Sequence, residues 1–266
     1  MVRMTSFDRV RGAARFAVFI IYTFGYLIES YVGRLFIRGQ IARRRFHSKT
    51  VSRYTRGACR MMGVTVDVKG LPAPGQNFLL VGNHLGFMDI LALSSVKSCL
   101  FITSVEMRET PFLGTLCEMG GCIFVERRSR TKIVGELTEI REALTQGFDV
   151  VLYPEGTSGD GEKVLPFKKS LMISAAGTGI PLKVMVINYR RINGEPMSDK
   201  WRNFVCWYGD MTFLPAIWGL FCLKTLEVEI SFHEEIHVES EDDRHQVTAK
   251  AQHLVETHFD AIRRTQ

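Results

Sequence analysis

Phe78-Leu79-Leu80-Val81-Gly82-Asn83-His84-Leu85-Gly86-Phe87-Met88-Asp89 is the stretch on which the fold turns. FLLVG at 78–82 is a short apolar run closed by a glycine, the pattern of a strand covered on both faces. Open α/β sheets place their sites where such strands end, and here His84 and Asp89 follow within seven residues of Gly82. On one continuous helix residues five apart are separated by about 140°, so this pair could not share a face. With His84 in a loop, Asp89 in the first turn of the next helix and Gly86 permitting the bend, the carboxylate reaches Nδ1. That contact would fix the tautomer and leave Nε2 free to take a proton from an alcohol.

Working outward, similar runs recur at 99–103 (CLFIT), 122–126 (CIFVE), 149–153 (DVVLY) and 182–188 (LKVMVIN). Between them the periodicity predicts helices at 88–96, 131–146 and 168–176, and a Pro- and Gly-interrupted one at 105–119. The alternation predicts an α/β fold, a largely buried, partly parallel sheet flanked by helices. VTVDV at 64–68 alternates as a strand, Phe204–Tyr208 and Leu226–Phe232 read as further strands, and 244–263 as a terminal amphipathic helix. Gly63 stops a preceding helix whose Val51, Tyr54, Ala58 and Met61 would dock on the core. A boundary near residue 60 therefore divides an N-terminal helical segment, 1–60, from a catalytic domain, 61–266.

The N-terminal segment carries FAVFIIYTFGYLI at 16–28, uncharged but shorter than the roughly 20 residues that cross a bilayer core. Beyond it, nine Lys and Arg residues and no Asp or Glu occur from Arg34 to Arg60; against a net charge of +6 for 266 residues, the remainder is −3. Apolar residues beside a basic cluster predict an interfacial helix on anionic membrane lipids rather than a nucleic-acid surface. Composition, 46% hydrophobic and 23% charged, excludes disorder and multiple membrane spans. Six single cysteines without a C-x-x-C pair imply a reducing compartment, hence the cytoplasmic face of the membrane.

Three further blocks follow His84 and Asp89: Phe124-Val125-Glu126-Arg127, Tyr153-Pro154-Glu155-Gly156-Thr157 with Phe167-Lys168 after it, and Ile180-Pro181 with the strand to Asn188. In this order they resemble the lysophospholipid acyltransferases, the PlsC-like branch of the glycerolipid acyltransferase superfamily, over residues 78–190. The resemblance implies His84 as general base, Asp89 as its orienting carboxylate, and a substrate-binding role for Arg127 with Glu155, Gly156 and Thr157. It implies direct transfer of a fatty acyl group from acyl-CoA or acyl-carrier protein to a lysolipid hydroxyl, with no cofactor and no metal. The block from Ile180 is the one that closes the family's substrate pocket.

The acceptor the resemblance implies first is 1-acyl-sn-glycerol-3-phosphate, giving phosphatidic acid. Two departures weigh on that reading. Ser158 stands where the family commonly has the arginine of E-G-T-R, and Ser104 stands where it commonly has a lysine two positions before a glutamate, here Glu106. Lys163, Lys168 or Arg128 could replace the lost cations, or the acceptor is a lysolipid without a terminal phosphate, such as a lyso-aminolipid. Glu126 for Asp and Ser170 for Gly are smaller departures. A lipid-surface binding protein without catalysis is the other class this pattern admits. His233-Glu234-Glu235-Ile236-His237 satisfies H-E-x-x-H, but that zinc motif needs a helix, and here it continues an alternating strand.

Overall fold

The computed structural model of the chain describes residues 4–126, 133–240 and 243–263. It opens with α1 (Ser6–Phe36), capped by Thr5: the Thr5 hydroxyl accepts the Asp8 N–H and the Asp8 carboxylate takes the Thr5 N–H. α2 (Gln40–Met62) ends at Gly63, whose φ of 72° gives the left-handed stop read from the sequence. Then follow β1 (Val64–Lys69), β2 (Leu79–Gly82), α3 (Phe87–Val96), β3 (Leu100–Ser104), α4 (Val105–Glu109), α5 (Leu113–Met119), β4 (Ile123–Val125), α6 (Ile133–Thr145) and β5 (Val150–Leu152). The remainder holds β6 (Leu182–Ile192), the two-residue β7 (Glu195–Pro196), α7 (Arg202–Val205), α8 (Phe213–Cys222), β8 (Leu226–Ile236) and α9 (Arg244–His258).

The strands form a sheet in the order β1-β8-β6-β2-β5-β3-β4, with β7 added to β6. From β6 to β4 every neighbouring pair is parallel, while β8 runs antiparallel to β6 and carries β1 parallel to itself. The α/β fold with a mostly parallel sheet is therefore present. Two cores cover the sheet. Leu80 and Val151 point into the one beneath α2, α3 and α8, and Leu79, Val81, Val150 and Leu152 into the one beneath α6 and α9. Burial on both faces is what makes these strands continuous apolar runs, each side chain worth about 1.5–3 kcal/mol.

Several local readings change. Phe204–Tyr208 is no strand: Arg202–Val205 is helical and the backbone continues past α3, with Trp207 N–H on the Leu85 carbonyl at 2.8 Å. Its apolar run registers burial of the adjacent Val205 and Cys206 against the core, not sheet pairing. Residues 168–176 form successive i to i−3 turns, such as Met172 N–H to Lys169 O, rather than a helix, and 172–176 are buried in a row rather than along one helical face. The interrupted stretch 105–119 breaks into α4 and α5 at Phe112, whose φ is 68°. α9 stops at His258, where Asn188 accepts the Asp260 N–H and donates to the His258 carbonyl.

α8 had no counterpart in the sequence reading; its Pro215 sits in the first turn, where no intrahelical N–H is needed. β8 extends through Ile236, so His233 and Glu234–Ile236 lie in a strand and H-E-x-x-H lacks the helix its geometry requires. On α2, Ala58 and Met61 pack against the core as expected, joined by Ser48, Ser52, Thr55, Cys59 and Met62. Ser48, Ser52 and Thr55 are small enough to let α2 close on α3, while Val51 and Tyr54 face a cavity.

Candidate active site

β2 and β5 are adjacent and parallel, with Val81 opposite Leu152, so His84 after one strand and Tyr153 to Glu155 after the other emerge side by side. Asn83 anchors the first exit. Its amide donates to the Ile187 carbonyl and accepts the Ile187 N–H, both at 2.9 Å, continuing the β2–β6 pairing through a side chain. Glycine is required at 82, where a Cβ would collide with the Met185 carbonyl, and at 86, where it would lie 2.9 Å from the Val205 carbonyl.

The loop-to-helix turn has the geometry inferred from the H-x4-D spacing. Asp89 sits in the first turn of α3, fully buried, and its Oδ2 accepts from His84 Nδ1 at 2.8 Å, Leu85 N–H at 2.6 Å and Gly86 N–H at 2.9 Å. Oδ1 takes the Tyr189 hydroxyl at 2.6 Å. Because Oδ2 is an acceptor, Nδ1 carries the ring proton and Nε2 presents a lone pair. The Tyr153 ring stacks on the imidazole, centroids 4.2 Å apart and 8° from parallel.

Of the residues expected to bind substrate, Gly156 and Thr157 line the cavity beside His84. Glu155 lies behind them: Oε1 takes the His84 N–H at 2.7 Å and Oε2 the Leu165 N–H at 2.9 Å. Burial pushes its carboxyl up to about 7, against the pull of those two amides and with the Asp89 charge adding to the rise. Glu155 thus holds the backbone of the histidine, and Gly159 N–H on the His84 carbonyl at 2.8 Å holds it from the other side. Arg127 lies outside the described residues.

The cavity, about 460 Å³, is mostly apolar. It runs from His84 and Trp207 between the sheet and the N-terminal helices, walled by Phe19 and Tyr26 of α1, Tyr54 of α2 and Leu116 of α5. Tyr54 packs edge-on against Tyr22 and Tyr26, with centroids 6.1 and 5.8 Å away, so the two N-terminal helices form one aromatic wall. Its hydroxyl groups at the reacting end come from Thr103, Ser104, Thr157 and Ser158, the last donating to the Trp207 carbonyl. The Lys168 side chain lies across Gly156: a Cβ there would be 2.5 Å from Nζ, and Gly156 has a φ of +73°. Such a site can orient a long apolar chain and deprotonate a hydroxyl brought to Nε2.

Residues 64–188 match the family described as Acyltransferase. A lyso-ornithine lipid O-acyltransferase of Brucella abortus (strain 2308) is 34% identical over 198 residues, covering 72% of this chain and 74% of the relative. The chain belongs to the acyltransferase family. A second relative of this acyltransferase, a lyso-ornithine lipid O-acyltransferase of Rhizobium meliloti (strain 1021), is 32% identical over 73% of this chain and 68% of its own. A 1-acyl-sn-glycerol-3-phosphate acyltransferase of Neisseria gonorrhoeae is 26% identical over 75% and 76%. The crystal structure of the 1-acyl-sn-glycerophosphate acyltransferase PlsC from Thermotoga maritima shares the acyltransferase's fold, with a TM-score of 0.61 over 94% of each chain at 22% identity.

Tyr153, Tyr189 and Trp207 escaped the sequence reading. Tyr153 is part of a recognised block, and its position directly after a buried strand was an available signal. Tyr189 and Trp207 carried none, since each reaches the site from an element whose neighbour only the sheet order determines.

Proposed function

We propose that this acyltransferase moves a fatty acyl group from acyl-CoA or acyl-carrier protein to a lysolipid hydroxyl at the cytoplasmic face of a membrane. The observation that carries the proposal is the 2.8 Å contact of His84 Nδ1 with a buried Asp89, on the wall of an apolar cavity. Nε2 takes the proton of the acceptor hydroxyl as its oxygen attacks the thioester carbonyl. The tetrahedral adduct collapses, the C–S bond breaks, and the imidazolium returns its proton to the leaving thiolate. Nothing in this route requires an acyl-enzyme or a resident cofactor.

For the acceptor, the low charge of the described residues at the reacting end, with Arg127, Arg128 and Arg130 lying outside them, supports a headgroup that supplies its own cation. Among the described residues Ser104 and Ser158 are neutral, and Lys168 is the cation placed against Gly156. A phosphate monoester approaching two negative charges is poorly matched by one lysine, whereas the ornithine headgroup of a lyso-ornithine lipid, a carboxylate with its own ammonium, is well matched. The Brucella and Rhizobium relatives are named for that acceptor. Lysophosphatidate is the second reading, favoured by the Neisseria relative. Acyl transfer measured side by side on lyso-ornithine lipid and lysophosphatidate decides between them; faster turnover of lysophosphatidate would overturn the first. Under either reading, Lys168→Ala raises the acceptor KM about tenfold with kcat little changed, as expected for loss of one charge-assisted contact.

The membrane reading rests on α1. By length and composition this 31-residue helix could cross a bilayer, yet it packs along the protein, with Arg11 on the Cys222 carbonyl at 2.5 Å and Tyr26 on the Leu116 carbonyl at 3.4 Å. Its outer side exposes Ile21 (68%), Phe24 (58%) and Ile28 (64%), one stripe of a helix. Part of the basic stretch is engaged by the protein: Arg44 pairs with Glu139, Arg53 with Glu29, and Arg56 binds the Ser95 carbonyl. Interfacial docking by apolar insertion is therefore the mode we propose, with cations secondary. Replacing Ile21, Phe24 and Ile28 by serine is expected to lower cosedimentation with phosphatidylglycerol vesicles more than tenfold, and added salt to lower it less. Release by salt with no effect of the triple substitution would reverse that assignment. Deleting 1–60 is a poorer test, because it also removes a wall of the cavity.

A further inference from the structure

The block from Ile180 closes the substrate pocket in the family resembled, but among the described residues β6 contributes none to the cavity wall. It reaches the His84–Asp89 pair from behind. Tyr189, one residue beyond the matched segment, is buried and gives its hydroxyl to Asp89 Oδ1 at 2.6 Å. Its backbone is held in the β6–β8 ladder opposite Val228.

The other oxygen already has its three donors, His84 Nδ1 and the Leu85 and Gly86 amides, all within one short loop. Those bonds locate Oδ2 but not the tilt of the carboxylate about it. A second point of attachment from a different element sets that plane, and with it the lone pair that receives the Nδ1 proton. Phenylalanine would fill the same volume, so packing does not account for a hydroxyl at a fully buried position. Tyr153 is the instructive contrast. It stacks on the imidazole face through its ring, while its buried hydroxyl has no partner among the described residues. One tyrosine restrains the ring face and the other restrains the carboxylate.

We propose that Tyr189 is a positioning residue for acyl transfer, its hydroxyl setting the orientation of Asp89 and through it the direction in which His84 presents Nε2. This inference rests on His84 acting as the base. Burial, with the Asp89 charge beside it, pushes the Tyr189 phenol well above its usual range, so it remains a donor at any working pH.

Tyr189→Phe tests the hydroxyl alone. We expect kcat to fall about tenfold with the KM of both substrates unchanged, and the acidic limb of the rate profile to move to higher pH. The direction follows because a carboxylate that loses one donor holds the imidazole proton more strongly. The titratable groups facing Asp89 are His84, Glu155, Tyr153, Tyr189 and Cys206. Burial raises both phenols and the thiol away from that limb, and Glu155, raised to about 7, is present in wild type and variant alike.

Val228→Ala, at the cross-strand partner, loosens the same packing but keeps the hydroxyl and should leave both kcat and the limb in place. In an Asp89→Asn background, Tyr189→Phe should add nothing further. Wild-type kinetics in Tyr189→Phe, a raised acceptor KM alone, or a lower Tm with an unmoved limb would overturn the inference. If the phenylalanine variant does not fold, fluorotyrosine at 189 keeps the donor and makes it more acidic, so the limb should move to lower pH; an unmoved limb is again fatal. His84→Ala with undiminished activity would instead remove the base assignment, whatever Tyr189 does.

Discussion

His84→Ala is expected to lower kcat by about 10²- to 10⁴-fold, the usual worth of a positioned general base, while the protein stays folded. The imidazole is partly open to the cavity, and its Nδ1 bond is one of four made by the Asp89 carboxylate, so removing the ring leaves Asp89 satisfied by Leu85, Gly86 and Tyr189. Circular dichroism and Tm should therefore change little. Asp89 is the opposite case. Alanine there would strip four donors of their acceptor in a fully buried position, at about 1–3 kcal/mol for each group left unpaired, and would confound activity with unfolding. Asp89→Asn is the informative variant, expected to fold and to lose about 10²-fold in kcat because no charge remains to stabilise the imidazolium. Near-wild-type thioester release by folded His84→Ala would remove both assignments.

Glu155→Gln should have the second largest effect, in the same parameter. A glutamine can accept one of the two N–H groups now held by Glu155 but must turn its NH2 toward the other, so the His84 backbone shifts. We expect kcat to fall about 10- to 100-fold with the acceptor KM unchanged. The role implied by the family resemblance, direct contact with substrate, predicts the reverse, a raised KM.

Stability supplies an independent check. The folded-state carboxyl lies above its ordinary 4.5, at about 7, so the stability it contributes is complete below pH 4.5 and is lost as pH rises to about 7. The loss is on the order of 3 kcal/mol at most. The Tm of the wild type should therefore decline over that window and that of Glu155→Gln should decline less. Asp149, pushed by burial to about 6, contributes to both curves, so the difference between them isolates Glu155.

The parts legible in the sequence were those with short-range causes. His84 and Asp89 are five positions apart, so their contact follows from a strand end, a glycine and a helix start, all visible as residue types. Gly63 as a stop and the continuous apolar strands of the sheet interior are legible for the same reason. Misreadings share one cause. Residues 168–176 and 204–208 do contain buried side chains, but an apolar pattern reports that a side chain is buried and not which backbone partner satisfies the N–H and C=O groups.

Residue types and their order thus determined the α/β class, the His84–Asp89 contact and the membership of a family of acyl-transfer enzymes, because each depends on contacts within a few residues or on an ordered set of blocks. Tertiary structure alone decided that Glu155, 71 residues from His84, holds its backbone instead of facing the cavity, and that Tyr189, 100 residues from Asp89, completes the carboxylate's bonds. It also decided that α1 and α2 wall the cavity. Those contacts follow from β2 lying between β5 and β6, a neighbour relation set by the packing of the whole sheet and written in no local pattern.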